Sequence, residues 1–333
     1  MPAGWGCILE RSGWTTCGKS SPSRATSSLW RVSPWGILRR RRNPGPVTGK
    51  STFTGTGGEV RWEFLLACDL DDTLLSGDGV LPEEDLRLLR RAVRCGILPV
   101  VASGRPFASV RRVVEAFWPD VSLPFIAFNG ALVGLSGTGT VLFSRRVPRV
   151  DACRFLEWAE RHGLFAQTYD EEYFYVPSED DRAERYARNV GIPYRVVGPL
   201  SRFLSFDPPK VLLHDDPIRL EEHYPEALRL FGDRLSLFFS KPQYLEVVHP
   251  EVDKGMALAW VAERYGVPRA RVVAMGDSGN DVEMVRWAGT GVAVANARQE
   301  VKEVASVVTG APGGEGALRE VFERCFPECL SRP

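Results

Sequence analysis

Phe64-Leu-Leu-Ala-Cys68 followed by Asp69-Leu-Asp-Asp-Thr73 is the stretch that decides the fold: five apolar residues run straight into three carboxylates. A short apolar run with no polar alternation reads as a strand buried on both faces, as in a parallel sheet. Alternate residues of an extended strand share a side, so Asp69 and Asp71 start out on the same side. Two carboxylates there repel unless a cation or a shared proton compensates, and a metal-free acidic turn is the plainer alternative.

The pattern repeats outward from this point. Pro82 to Arg94 reads as a helix, with Leu86, Leu89 and Val93 on one stripe and Gly96 just past its end. Ile97–Ala102 is a second apolar run closed by Ser103-Gly-Arg. A helix carrying Phe107, Val110, Val113 and Phe117 follows, and then a third run, 125–128, ending in Asn129-Gly130. Met256 to Tyr265 is predicted helical, Val272–Met275 is a strand ending in Gly276-Asp277, and Gly291–Val294 is another strand. Apolar strands alternating with amphipathic helices predict an α/β fold with a Rossmann-like parallel-sheet core. Polar groups gather where each run ends, the edge at which such sheets place their active sites.

Between 147 and 243 the texture changes. Helical stretches (150–162 and 225–231) mix with strand-like pieces at 173–176, 210–214 and 235–239. The expectation is a core built from 60–146 and 244–333, interrupted by an inserted α+β cap at 147–243.

The chain has 333 residues, 44% of them hydrophobic and 25% charged, which describes an ordinary globular protein of about two domains. No apolar stretch approaches the ~18 residues of a membrane span. The 42 basic and 42 acidic residues balance. Residues 1–59, however, hold nine Lys/Arg against Glu10 and Glu59, a net +7 that leaves −7 on the rest. A mildly acidic body argues against a nucleic-acid surface. The first sixty residues also carry four of the nine tryptophans, the run Arg39–Arg42 and no sustained apolar period. They read as a disordered arm, a transit segment, or upstream DNA read through ahead of a start at Val60. Cysteines at 7, 17, 68, 95, 153, 325 and 329 form no Cys-x-x-Cys pair; reduced thiols and a cytoplasmic location are expected. The histidines at 162, 214, 223 and 249 lack metal-ligand spacing.

Four segments at run ends form a set: Asp69-Leu-Asp-Asp-Thr73, Ser103-Gly-Arg, Lys254-Gly255 and Gly276-Asp-Ser-Gly-Asn-Asp281. Singly, each of the middle two is an ordinary turn or a surface lysine. Together they supply a nucleophilic carboxylate, a second carboxyl for proton transfer, acidic ligands for a hard cation, and a lysine and hydroxyl for phosphoryl oxygens. In this order they resemble the haloacid-dehalogenase-like phosphatases, in particular the Cof-type sugar-phosphatase-like branch. Phe128-Asn-Gly-Ala131, Ser240-Lys-Pro-Gln-Tyr-Leu-Glu246, Val294-Ala-Asn-Ala297 and Gly314-Glu-Gly316 match that branch too, so the likeness spans about 62–320.

The resemblance implies a Mg²⁺-dependent phosphatase acting on a small phosphomonoester through an aspartyl-phosphate. Asp69 would be the nucleophile and Asp71 the general acid/base. Mg²⁺ would be held by Asp69, the main-chain carbonyl of Asp71 and Asp277, with Asp281 beside it. Leu70 (through its N–H), Ser103, Gly104, Lys254 and Asn280 would hold the phosphoryl group. Position 72 is Asp where the branch usually has Gly, and Ser278 replaces a commoner Asn. A sucrose-phosphate or mannosyl-phosphoglycerate type of phosphatase and a phosphosugar mutase are the alternatives. The partner is expected to be the small molecule alone, with no nucleic acid or membrane, on a monomer or weak homodimer. Tyr169, Tyr173, Tyr175 and Lys210 are candidates to face the site from the cap, against plainer roles in packing or at the surface.

Overall fold

A computed structural model describes residues 62–331 together with two short strands, Leu29–Val32 and Leu38–Arg39. The central sheet has eight strands in the order 307–308, 290–293, 272–276, 64–69, 97–102, 124–127, 132–135, 140–144. The first six run parallel, and the hairpin 132–144 adds two antiparallel strands at one edge. The parallel strands are buried along nearly their whole length, which is why they read as unbroken apolar runs. Helices Glu83–Arg94, Phe107–Phe117 and Ala317–Cys325 cover the sheet as one packed group, and Lys254–Arg264, Val282–Trp287 and Gln299–Val304 as another. Among the described residues, no helix is long and apolar enough to cross a membrane.

A second, six-stranded sheet has the order 194–196, 174–176, 166–169, 211–214, 244–248, 236–241. Tyr244–Val248, expected in the second half of the core, therefore pairs inside this sheet, because Val211–His214 and Ser236–Lys241 flank it on either side. Period-two alternation gives the sheet two different faces. Val211, Leu213, Leu245 and Val247 join Phe155, Trp158 and Leu220, from helices Arg149–Arg161 and Pro217–Phe231, in a separate apolar core. Tyr169, Phe174 and Leu212 belong to the cluster of the main domain.

Two expectations are corrected. The arm contributes structure: Leu29–Val32 pairs antiparallel with Val80–Pro82, although no periodic pattern marked it. The remaining residues of 1–61, including the possible start at Val60, lie outside the described set. Nor are all the thiols reduced, since Cys95 and Cys329 form a disulfide. They are 234 residues apart in sequence, but the final helix Pro327–Ser331 docks beside the end of Glu83–Arg94 and brings their Cα atoms to 5.7 Å. Cys68 is a buried core residue.

Asp85 is buried in the first turn of helix Glu83–Arg94, and its Oδ2 has no hydrogen-bond partner among the described residues. Burial, with Glu84 beside it, pushes this carboxyl up to about 6. The fold thus favours the neutral form. That stabilisation is fully present below the unfolded value of ~3.9 and is lost as pH rises through about 6. Asp85→Asn is expected to stabilise the protein by about 2–3 kcal/mol at pH 8 and by under ~1 kcal/mol at pH 4. Urea melts at the two pH values check this, and equal gains at both would show that ionisation is not the cause.

Candidate active site

Asp69 closes the central strand and is buried. The chain leaves it through a tight turn, 70–74, in which Asp72 adopts φ 60°. Glycine takes that left-handed conformation most easily and Asp tolerates it, so the unusual residue at 72 sits where the backbone asks for Gly. The turn is clamped from behind. Asn296 Nδ2 donates to the Asp72 carbonyl at 2.9 Å, and the Gly314 N–H donates to the Thr73 carbonyl at 3.1 Å. A Cβ on Gly313 would collide with the Asp72 carbonyl oxygen. The Val294–Ala297 and Gly314–Gly316 segments thereby gain a physical role: they hold the loop that follows Asp69.

The neighbouring strand end supplies the other acids. Asp277 accepts from Thr73 Oγ1 at 2.8 Å and from Ser278 Oγ at 2.5 Å. Asp281 Oδ2 accepts from the amides of Asp277 and Ser278 at 3.1 and 3.0 Å. Only a glycine fits at 276, where a Cβ would collide with the side chain of Asp281. Lys254 opens its helix behind the cap residue Asp253 and is fully buried. Its Nζ lies 2.5 Å from Asp69 Oδ1 and 2.6 Å from Asp281 Oδ1.

Asp69, Asp277 and Asp281 bring one carboxylate oxygen each to within 4.8 Å of one another. Burial pushes Asp69 well above the ordinary carboxylate range; Lys254 pulls the other way, and Asp281, Asp277 and Asp71 add to the rise. Asp277 is raised by burial as well, against the Ser278 hydrogen bond. Burial alone would lower Lys254, yet the Asp281 and Asp69 carboxylates outweigh it and hold the ammonium above its usual value. Three acids against one ammonium leave two negative charges uncompensated in a buried space. An all-oxygen donor set with that deficit fits a hard divalent cation.

Asp71 stands apart. Its carboxylate is turned onto Arg105, which donates through Nε at 2.8 Å and through Nη2 in a bidentate pair. Its side chain is thus outside the acidic cluster. Ser103 is buried, with its Oγ accepting from the Arg105 amide at 3.1 Å. A Cβ at Gly104 would lie 2.8 Å from Asn129 Oδ1. Asn280 Nδ2 donates to that same Oδ1 at 2.9 Å. Leu70 is buried and opens the turn, its carbonyl accepting from the Leu75 amide at 2.8 Å.

Of the four residues proposed to look down from the second sheet, one touches the phosphate-loop candidate: Lys210 Nζ lies 3.4 Å from the Gly104 carbonyl. Tyr169 is buried, bonded to Tyr186 and packed edge-on against Phe128. Tyr175 turns into the other core and bonds Asp170, and Tyr173 stacks under Arg195. Arg105, Thr73 and Asn129 lay inside segments noted in the sequence but were given no role. Their partners are 34, 204 and 117 residues away in sequence, a relation that no local spacing reveals.

The sequence profile of the haloacid dehalogenase-like hydrolases matches residues 66–319. The chain belongs to this family of hydrolases. It is 28% identical over 272 residues to the Bacillus subtilis 5-amino-6-(5-phospho-D-ribitylamino)uracil phosphatase YitU, covering 78% of this chain and 97% of the relative. Phosphatase YwpJ of the same organism is 27% identical over 273 residues, covering 74% and 94% of the two chains. The crystal structure of TM0651 from Thermotoga maritima superposes with a TM-score of 0.72 at 33% identity, covering 79% of this chain and 97% of that one. The family and these relatives agree with the Cof-type likeness read from the motifs, and with a phosphatase-type hydrolase built on an α/β core.

Proposed function

We propose that this protein is a Mg²⁺-dependent phosphatase that hydrolyses a small phosphomonoester through an aspartyl-phosphate on Asp69. The observation that carries the reading is the convergence of Asp69, Asp277 and Asp281 on one point with Lys254 bonded to two of them. An Asp69 oxygen attacks phosphorus, and the bond from phosphorus to the ester oxygen breaks as Asp71 gives that oxygen a proton. Water then cleaves the acyl phosphate while Asp71 takes its proton, releasing inorganic phosphate and restoring both carboxyls. A bound Mg²⁺ would be held by Asp69, the Asp71 carbonyl and Asp277, with Asp281 beside it, and would offset charge between nucleophile and phosphate.

Ser103, the Gly104 and Leu70 amides, Lys254 and Asn280 are the proposed phosphoryl ligands. In the described geometry Arg105 holds the Asp71 side chain off the cluster, so proton transfer requires that side chain to turn from the guanidinium toward the ester oxygen. Residues 147–248 are read as the cap that closes over the phosphoryl site and selects the leaving group. The name of YitU makes a phosphorylated ribityl-aminouracil a first candidate, and sugar phosphates and pyridoxal phosphate follow. A panel of phosphomonoesters assayed with Mg²⁺ should show release of inorganic phosphate from p-nitrophenyl phosphate and faster release from one metabolite class. No release from any ester would overturn the proposal. Movement of phosphate within a sugar without release would point to a mutase.

A further inference from the structure

A chain of polar groups, buried up to Asn129 and ending on the exposed Asn280, crosses from the second sheet to the proposed phosphoryl site. Lys210 Nζ lies 3.1 Å from Glu246 Oε2, and Asn129 Nδ2 donates to that same oxygen at 3.1 Å. Asn129 Oδ1 then accepts from Asn280 Nδ2 at 2.9 Å. Lys210, Glu246 and Asn129 are each more than nine-tenths buried. Glu246 lies on the second sheet opposite Leu212, and Lys210 immediately precedes the neighbouring strand Val211–His214. Asn129 sits at φ 56° in the turn that ends strand Pro124–Ala127, and Asn280 in the turn between Asp277 and Asp281.

The direction of this chain follows from donor and acceptor chemistry. A carboxylate only accepts, so the Asn129 atom facing Glu246 must be the amide nitrogen. Its oxygen is then forced toward Asn280, and Asn280 must answer with its own NH₂. One hydrogen of that NH₂ is used on Asn129, which leaves the other as a donor for an oxyanion. With Glu246 absent, the Asn129 amide is free to turn over and present its NH₂ to Asn280, which would turn the acceptor end of Asn280 to the phosphate.

We infer that Glu246 and Asn129, anchored by Lys210, are positioning residues that fix Asn280 with a donor toward the phosphoryl group. This inference rests on the reading of Asn280 as a phosphoryl ligand. It also ties the second sheet to phosphate affinity and not only to the choice of leaving group. Low dielectric around Lys210, Glu246 and Asn129 strengthens the hydrogen bonds among them and penalises a reversed one.

The test is a polarity swap. Asn129→Asp keeps a residue type that tolerates a left-handed φ but sets one carboxylate against another at Glu246, and their repulsion drives the side chain at 129 off its place beside Asn280. It is expected to raise both KM and the inhibition constant of inorganic phosphate about tenfold or more, the share of one hydrogen bond to a charged group. Combining Asn129→Asp with Glu246→Gln places a donor opposite the new carboxylate and returns the net charge to that of the wild type. The double variant should recover most of the lost affinity. Glu246→Gln alone keeps an oxygen for Asn129 and Lys210 and should shift either constant by less than about threefold.

If Asn129→Asp does not fold, Lys210→Met/Glu246→Leu removes both charged groups together. It should weaken inorganic phosphate about tenfold with kcat within about twofold of the parent. A folded swap variant no better than Asn129→Asp, or unchanged phosphate affinity in the second pair, would overturn the relay. Asn280→Ala with unaltered phosphate affinity would instead remove Asn280 as its end point and the inference with it. A wild-type protein that neither hydrolyses esters nor binds phosphate would show that the phosphatase reading itself has failed.

Discussion

Asp69→Asn is expected to abolish turnover and leave no phosphoenzyme, whereas Asp71→Asn should slow the enzyme by roughly 10²–10⁴ and let phosphoenzyme accumulate. The two residues differ by two positions in sequence but occupy separate environments. Asp69 lies buried against Lys254 inside the acidic cluster. Asp71 lies outside that cluster on Arg105. Removing the attacking oxygen of Asp69 stops the first step, and nothing else in the cluster replaces it. Removing the proposed proton carrier at 71 leaves the proposed nucleophile, the lysine and the acidic ligands in place, so the first step should survive for esters with good leaving groups. The Asp71→Asn defect should therefore shrink from an alkyl phosphate to p-nitrophenyl phosphate, whose departure needs little protonation. Hydrolysis of the acyl phosphate still needs a base and becomes limiting. Kinetics of both variants with the two esters check this, and indistinguishable leaving-group dependence would mean that the roles are misassigned.

Chelation should be as severe. Excess EDTA is expected to remove all activity and added Mg²⁺ to restore it, with Ca²⁺ a poor substitute because its larger, looser coordination misplaces the nucleophile. The same cation should stabilise the fold, since two negative charges in the cluster go uncompensated without it. At a hundredfold excess over its dissociation constant the gain would be about 2.7 kcal/mol, readable as a rise in the thermal midpoint. Asp277→Asn should abolish that rise, because it removes one of the three carboxylates that converge in the cluster. Full activity in EDTA, or a Mg²⁺ shift that survives Asp277→Asn, would contradict the proposed ligand set.

Much of this was legible in sequence because the parallel core announces itself. Strands such as Phe64–Asp69 and Ile97–Ala102 are buried on both faces, so their apolar runs and the polar residues that end them stand out. Asp69 and Asp277 meet because each stands at the end of a neighbouring parallel strand, with Asp281 in the turn after Asp277 and Lys254 opening a helix beside them. What stayed hidden depends on pairing across the chain. Tyr244–Val248 is buried along most of its length, and only its neighbours on either side assign it to the second sheet. The Cys95–Cys329 bond and the Arg105–Asp71 pair join residues 234 and 34 positions apart, and neither partner is unusual in its own segment. Leu29–Val32 has no apolar period of its own and is organised by the strand Val80–Pro82 against which it lies.

The most direct test of the central claim is rapid quenching of the Asp71→Asn variant with ³²P-labelled phosphomonoester and Mg²⁺, followed by digestion to locate the label. An acid-stable, hydroxylamine-sensitive label on the peptide containing Asp69, absent from the Asp69→Asn variant, is the predicted result. Label on another residue, or label that persists when Asp69 is Asn, would contradict it.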